Sequence, residues 1–299
     1  MAGCMDWLPL IRLVIALAVA CSASISDWRK REVSDTHWAV MGVAGLALLA
    51  VQILQDNVDL TYLLFLLPMA WFFFDMLVER RGMFEDGINP LPIALYLGSF
   101  AALAFLLSQF WNDGYIWQLM VIPILFVLIY FMYQFNIVKG GADAKALMAI
   151  ALLVPRYPII DPFPLVHVTV DVTQYIMPFA ILVLFNAALL TLVVPVVMLA
   201  YNLYKRDIKV PAMFFGYTME TKDARTKFVW PMEYVKDGVL KISAFVKSDE
   251  ETTEAQIDQL EAAGKTRIWV TPKIPFLIPI TASLLFSTIV GNIIFFLVQ

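Results

Sequence analysis

Uninterrupted apolar runs of about twenty residues recur along this chain, and that is the length a helix needs to cross a hydrocarbon core ~30 Å thick. Of 299 residues, 61% are hydrophobic and only 15% charged, against roughly half and a quarter in an ordinary soluble chain. A water-soluble fold cannot hide that much apolar surface. Reading apolar runs against polar breaks predicts helices over Trp7 to Ser26, Thr36 to Gln55, Leu60 to Val78, Leu91 to Trp111, Tyr115 to Asn136, Asp143 to Val154, Gln174 to Tyr204 and Ile274 to Val298. The sixth is short for a span, and the seventh is long enough to tilt or emerge from the bilayer. Pro195, Pro275 and Pro279 fall within or at the start of spans, where they predict kinks.

Basic residues concentrate in cytoplasmic loops, and this sets the orientation. If alternate connections face the cytoplasm, one side collects Arg29, Lys30, Arg31, Arg80, Arg81, Lys139, Lys145 and the twelve Lys and Arg from Lys205 to Lys273, which is 19 of 21. Only Arg12 and Arg156 fall elsewhere, and shifting the helix count by one scatters the set. The reading therefore predicts a multi-pass protein with both termini outside. The net charge of -4 says little about partners, because 22 of the 46 charged residues lie between Lys205 and Arg267.

That charged stretch is the one part able to fold in water. Val239 to Lys247 alternates and reads as a strand. Ser248 with Glu251 reads as a capping box opening a helix through Glu254 to Ala263, closed by Gly264, and Thr266 to Thr271 reads as another strand. At about 68 residues its core is meagre, so it is expected to lean on the membrane or on its neighbours. Cys4 and Cys21 stand about 25 Å apart along one helix, too far for a disulfide, and no Cys/His cluster suggests zinc. The amino terminus lacks a basic n-region, so the first run reads as a retained helix.

Two constellations carry candidate chemistry. The first, Ser26-Asp27-Trp28-Arg29-Lys30-Arg31-Glu32-Val33-Ser34-Asp35, lies where the first helix enters the cytoplasm. It reads as a positive-inside anchor, but Asp27 lies closer to the bilayer than Asp35 and is partly desolvated; Asp35 is expected to be dispensable. The second is Lys139-Gly140-Gly141-Ala142-Asp143-Ala144-Lys145. Consecutive glycines adopt backbone conformations other residues avoid and admit close approach of another chain. Asp143 reads either as a helix cap or as a catalyst. The topology places Asp27 and Asp143 on one side at similar depth although 116 residues separate them.

Two adjacent carboxyls make a peptidase without serine, cysteine or metal. One ionises more easily than the other; it takes a proton from water while the neutral one polarises the scissile carbonyl and then protonates the leaving amine. The two histidines, His37 and His167, lie on opposite predicted faces, which disfavours a Ser/His pair or a multi-histidine site. Asp161, His167 and Asp171 share the longest outside loop, where a solvated surface is favoured over an open metal site. Asp75 is the one other acid within a span, a functional candidate by default; near the cytoplasmic end, it either serves function or snorkels and pairs with Arg80. Lys145 either biases proton sharing in the pair or binds lipid phosphate. No cofactor and no nucleic-acid partner is expected.

In three stretches the chain resembles the archaeal preflagellin and type IV prepilin peptidases, membrane aspartic peptidases of the GxGD type. Asp27-Trp28-Arg29-Lys30-Arg31-Glu32-Val33 resembles the family's aspartate followed by a basic run and Arg-Glu-Ile/Val. Gly140-Gly141-Ala142-Asp143-Ala144-Lys145 resembles its GxGDxK box, with Ala142 where the second glycine is expected. Trp269-Val270-Thr271-Pro272-Lys273-Ile274-Pro275-Phe276-Leu277-Ile278-Pro279 is similar to the segment entering the last helix of archaeal members. The stretch from Gln55 to Leu91 looks longer than in the smallest members.

The resemblance implies Asp27 and Asp143 as the catalytic pair, supported by Gly140, Gly141 and Lys145. It also implies pilin-like or archaellin-like precursors, cut at the cytoplasmic face between a basic leader and a hydrophobic helix. Glu32, Glu79, Glu85 and Asp86 offer charge for such a leader, although any one of them is more readily explained by pairing with Arg80, Arg81 or lipid headgroups. The cysteine-containing domain and methylation activity of larger bacterial members have no counterpart, so peptidase activity alone is expected. The resulting expectation is an all-α polytopic membrane protein of about eight transmembrane helices with a small α+β cytoplasmic domain before the last helix. Residues 1–204 form a catalytic bundle of seven helices, 205–272 the cytoplasmic domain and 273–299 the last helix.

Two alternatives share some of these features. A presenilin-like GxGD protease would cut inside the bilayer, but its Pro-Ala-Leu tripeptide does not occur here. An ion-coupled transporter would use Asp75 and Asp143 in broken helices, but no inverted repeat is found.

Overall fold

A computed structural model describes residues 7–78, 89–138, 140–166, 177–236, 238–243 and 250–292. They form two compact units, Met1–Ala188 with Pro275–Gln299, and Leu189–Ile274.

The first unit is helical. Its elements are α1 (Trp7–Lys30), α2 (Thr36–Gln55), a 3-10 turn (Leu60–Phe65) running into α3 (Leu66–Leu77), α4 (Pro90–Phe110), α5 (Gly114–Gln134), α6 (Gly141–Leu153), α7 (Phe179–Thr191) up to the unit boundary, and the last helix, Leu277–Ile289. Local chemistry sets several starts. The Asp59 and Asp113 carboxylates accept the backbone N–H of Thr61 at 2.8 Å and of Tyr115 at 2.9 Å, and Pro90 opens α4 where its missing N–H costs nothing. Arg31, in the left-handed region at φ 59°, closes α1.

Among the described residues, six helical stretches are long and apolar enough to cross a membrane: Trp7–Lys30, Thr36–Gln55, Leu60–Leu77, Pro90–Phe110, Gly114–Gln134 and Phe179–Lys205. The expected class therefore stands, a mostly helical multi-pass membrane protein, with six of about eight expected helices described at spanning length. The sixth expected helix has only 13 residues, and the last is described as far as Ile289. The kink expected at Pro195 is a break at Leu192, between α7 and α8 (Val193–Lys205). Pro195 has no N–H for the carbonyl four residues before it.

Short α6 is the centre of the first unit. Every residue from Ala146 to Val154 is buried, and α6 packs chiefly on α2 and α5 while also touching α1, α3 and the last helix. Its alternating alanines let neighbours approach all round, and a helix apolar on every face belongs inside a bundle. Gly45 of α2 shows how close: a Cβ there would meet the Leu152 and Leu153 backbone at 3.1 Å. Outward faces carry Val14, Val43, Leu97, Phe100, Ile124 and Phe131, all exposed, which require hydrocarbon around them. Interhelical hydroxyl and amide bonds add register. Ser24 Oγ and Thr281 Oγ1 lie 2.8 Å apart, Asn186 donates to Ser287 Oγ at 2.8 Å, and Ser283 donates to the Val183 carbonyl at 2.8 Å.

The two basic residues outside the gathered set meet at one end of this unit. Arg12 donates to the Leu48 carbonyl at 3.0 Å, Arg156 pairs with Asp56 at 3.4 Å, and both line a cavity of about 370 Å³ with Gln52 and Tyr157. The helices that reach this end, α1, α2 and α6, carry Asp27, Asp35 and Asp143 at their other ends.

The second unit holds α8, a short helix α9 (Ala212–Phe215), β1 (Tyr217–Glu220), α10 (Thr221–Ala224), β2 (Val229–Pro231), β3 (Glu233–Lys236), β4 (Val239–Ile242), α11 (Glu250–Ala262) and β5 (Arg267–Pro272). β5 is the middle strand of an antiparallel sheet ordered β1-β5-β2, and β3 and β4 pair as a hairpin. Ile268 and Val270 of β5 pack with Ile257 and Leu260 of α11. Gly264 at φ +74° ends α11, as its position suggested. Ser248, half of the expected capping box, lies outside the described residues. Strands β1 to β3 are additions to the sequence reading; they are only three or four residues long and carry no alternation to detect.

Candidate active site

Asp27 lies in the last turn of α1, where the helix dipole gives an acid no advantage. It is half-buried. Its carbonyl accepts the Arg31 N–H at 3.0 Å, the bond that closes the helix, and the Arg31 charge bears on its carboxylate. Asp143 is the third residue of α6 and only 9% exposed. The capping alternative does not hold: Gly140 occupies the cap position and no side-chain cap bond is made. Burial is the main influence on the Asp143 carboxyl, and the nearby Asp27 charge adds to it. Two acids 116 residues apart are thus brought to neighbouring positions by α1 and α6, which touch each other and share α2 as their main neighbour.

The glycines differ in what they do. Gly140 has φ -89° and ψ 127°, a conformation open to any residue. Its constraint is space, because a Cβ there would lie 2.9 Å from Asp143 Cγ and closer still to Oδ2. A Cβ on Gly141 would meet only the Tyr133 hydroxyl at an ordinary 3.6 Å. The close approach anticipated from the glycine pair is therefore made by a neighbouring side chain, at one glycine only. Ala142 fits beside it as a small residue within the first turn, partly buried against the core.

Lys145 has a partner that its position along the chain did not suggest. Its Nζ lies 2.7 and 2.8 Å from the two oxygens of Asp35. Asp35 is the residue the sequence reading passed over, since nothing local signals a partner 110 residues away. The segment around it is pinned: Ser26 Oγ donates to the Glu32 carbonyl at 2.9 Å, and His37 bridges Ser22 Oγ at 3.2 Å and the Ser34 carbonyl at 3.0 Å.

Asp75 accepts a hydrogen bond from the Tyr96 hydroxyl. It stands on the wall of a cleft of about 450 Å³ lined by Phe72, Phe100, Phe126, Tyr130 and Met148, the last on the helix of Asp143. Its suggested partner Arg80 lies outside the described residues, as do Lys139, Glu79, Glu85, Asp86, His167, Asp171 and Cys4. Glu32 and Asp161 are exposed. Among the described residues no group of three His, Cys, Asp or Glu side chains is placed to hold a metal.

Residues 208–293 match the family described as Archaeal Peptidase A24 C-terminus Type II. The chain is 31% identical over 174 residues to the preflagellin peptidase of Methanococcus maripaludis, covering 56% of this chain and 70% of the relative. It is 27% identical to that of Methanocaldococcus jannaschii over 56% and 68% of the two chains. The preflagellin peptidase of Methanococcus voltae aligns at 24% identity over 95% and 96%.

Proposed function

The chain belongs to the preflagellin peptidase family, and on that premise we propose that it is a membrane aspartic endopeptidase. It removes the leader of preflagellin-like or prepilin-like precursors at the cytoplasmic face, with Asp27 and Asp143 as its catalytic residues. The observation that supports this reading is a buried Asp143 at the start of α6 in electrostatic reach of Asp27 at the end of α1, two helices that touch. Ion pairing would neutralise a purely structural carboxylate; a second acid beside it makes structure harder and acid–base chemistry possible.

The pair holds one proton. The ionised carboxyl takes a proton from a water as the water oxygen attacks the scissile carbonyl, and the protonated one hydrogen-bonds the carbonyl oxygen and gives it the proton. A tetrahedral gem-diol results. Collapse breaks the C–N bond as the amine takes the pair's proton and one gem-diol hydroxyl gives its proton to the pair, releasing a carboxylic acid and an amine and restoring the starting protonation. Supporting roles go to Gly140, which leaves room for the Asp143 carboxyl, and to the aromatic cleft beside α6, which suits the apolar helix of a precursor. The basic residues gathered at one side support cytoplasmic placement of this face, with both termini outside.

The test is cleavage of a preflagellin-type precursor by membranes containing this protein. Asp27→Asn and Asp143→Asn should each nearly abolish it, and the double variant should be little worse than either, because residues acting as a unit are strongly non-additive. An Asp143→Asn protein that folds and still cleaves near the wild-type rate removes that residue from the mechanism.

A further inference from the structure

We propose that Asp35 and Lys145 form a charged strap that sets the separation of the Asp27 and Asp143 carboxyls, Asp35 acting as a positioning residue through Lys145. The problem it solves is physical: two carboxyls placed close enough to share a proton repel each other whenever both ionise, so something other than their own attraction must hold them. Direct packing of α1 on α6 is slight. The principal neighbour of both helices is α2, and Asp35 stands immediately before the first residue of α2. The spacing of Asp27 from Asp143 therefore follows from how the start of α2 is held against α6.

The ion pair makes that connection. Lys145 Nζ reaches both Asp35 oxygens, at 2.7 and 2.8 Å, and among the described residues it is the one ion pair that joins α6 to the segment after Asp27. That segment is in turn fastened to α1 by the Ser26–Glu32 and Ser22–His37 bonds. The chain of contacts is continuous from the last turns of α1, through residues 32–37, to the second turn of α6. Residues two apart on a helix point to different faces, so Lys145 reaches Asp35 while Asp143 is left facing Asp27.

Asp35 also forgoes the use a helix would make of it. Aspartate before a helix ordinarily caps it by accepting a backbone N–H, yet the Asp35 side chain makes no such bond. Both oxygens are committed to Lys145. The two side chains remain partly exposed, at 22% for Lys145 and 41% for Asp35, and exposed pairs contribute little to stability. Removing this one should leave a folded protein with its carboxyls misplaced. The strap makes Asp35 a contributor to the site, where its distance from the bilayer suggested a dispensable residue.

The experiment compares Asp35→Asn, Lys145→Gln and their double variant with wild type in precursor cleavage. Each single variant should lower kcat about tenfold to a hundredfold with KM little changed, since small displacements of a reacting group have effects of that size. The double variant should be no worse than either single one, and Asp35→Glu, which keeps the carboxylate, should recover most of the loss. Wild-type kcat in both single variants, or losses that multiply in the double variant, would overturn the strap.

A second readout does not depend on activity. In a Cys4→Ser/Cys21→Ser background, Asp27→Cys/Asp143→Cys should be joined efficiently by a short bis-maleimide, and adding Asp35→Asn should reduce that yield severalfold. An unchanged yield also overturns the proposal. The kinetic arm rests on the peptidase reading; if wild type cleaves no precursor while cross-linking depends on Asp35, that reading fails and the strap stands.

Discussion

Gly140 lies so close to the Asp143 carboxyl that a methyl group on it would stand 2.9 Å from Asp143 Cγ. The backbone there is ordinary and extended, so the glycine is present because the carboxyl occupies the space. Gly140→Ala must push Asp143 aside, and a loss of roughly tenfold or more in kcat is expected. Gly141→Ala, facing only the Tyr133 hydroxyl at 3.6 Å, should stay within about twofold of wild type, the scale of ordinary neutral substitutions. Cleavage assays on the two purified variants decide it; equal losses would return the glycines to a shared conformational role.

The proposed sharing of one proton between Asp27 and Asp143 predicts a bell-shaped dependence of kcat/KM on pH. Activity falls on the acid side, where both carboxyls are protonated and no base remains, and on the alkaline side, where both ionise and the acid is lost. The two limbs belong to the pair and not to either residue. A flat profile between them and beyond, with protein shown to stay folded, would argue against two-carboxyl chemistry.

Gly45 of α2 faces the backbone of Leu152 and Leu153 of α6. Gly45→Val forces those helices apart, and overpacking of this kind costs about 1–3 kcal/mol. Thermal unfolding in detergent should show a lower midpoint, accompanied by reduced cleavage because α6 carries Asp143. A midpoint equal to wild type would mean the helices separate without cost.

Orientation is testable by labelling. With Cys4 and Cys21 replaced by serine, Glu254→Cys on exposed α11 should resist a membrane-impermeant maleimide in intact cells and react once the cells are opened. Ready labelling of intact cells would invert the proposed topology and move the active face outside.

Replacing Asp223 or Glu254, both exposed acids of the second unit, by neutral residues should leave cleavage near wild type, because neither belongs to the paired-acid arrangement. Glu233 behaves differently. It is 2% exposed and lies 3.4 Å from Lys209 and 3.7 Å from Lys265, so Glu233→Ala removes the shared partner of two lysines and should destabilise the second unit, at a cost of about 1–3 kcal/mol. Limited proteolysis of the purified protein reads this directly; digestion as slow as in wild type would show the buried pair to be dispensable.

What the sequence determined by itself is whatever depends on composition over a local window. Apolar runs near twenty residues long identify the spans because bilayer thickness sets their length, and the basic residues supply the proposed orientation because each carries its charge irrespective of partners. Asp27 and Asp143 stood out by their own surroundings and by resemblance. Gly264 ending its helix was equally legible, since a left-handed residue is a local demand.

The tertiary structure decided what distant residues do to one another. That the 13-residue helix bearing Asp143 sits at the centre of the first unit depends on neighbours from five other helices. The role of Gly140 depends on where a side chain turns, and the two short strands beside β5 exist through the hydrogen bonds β5 supplies. Asp35 is the clearest case: read along the chain it is one more polar loop residue, and only folding brings Lys145 within 2.7 Å of it. Contacts between residues more than a hundred positions apart leave no local pattern, because the free energy that selects them belongs to the packed bundle and not to either segment.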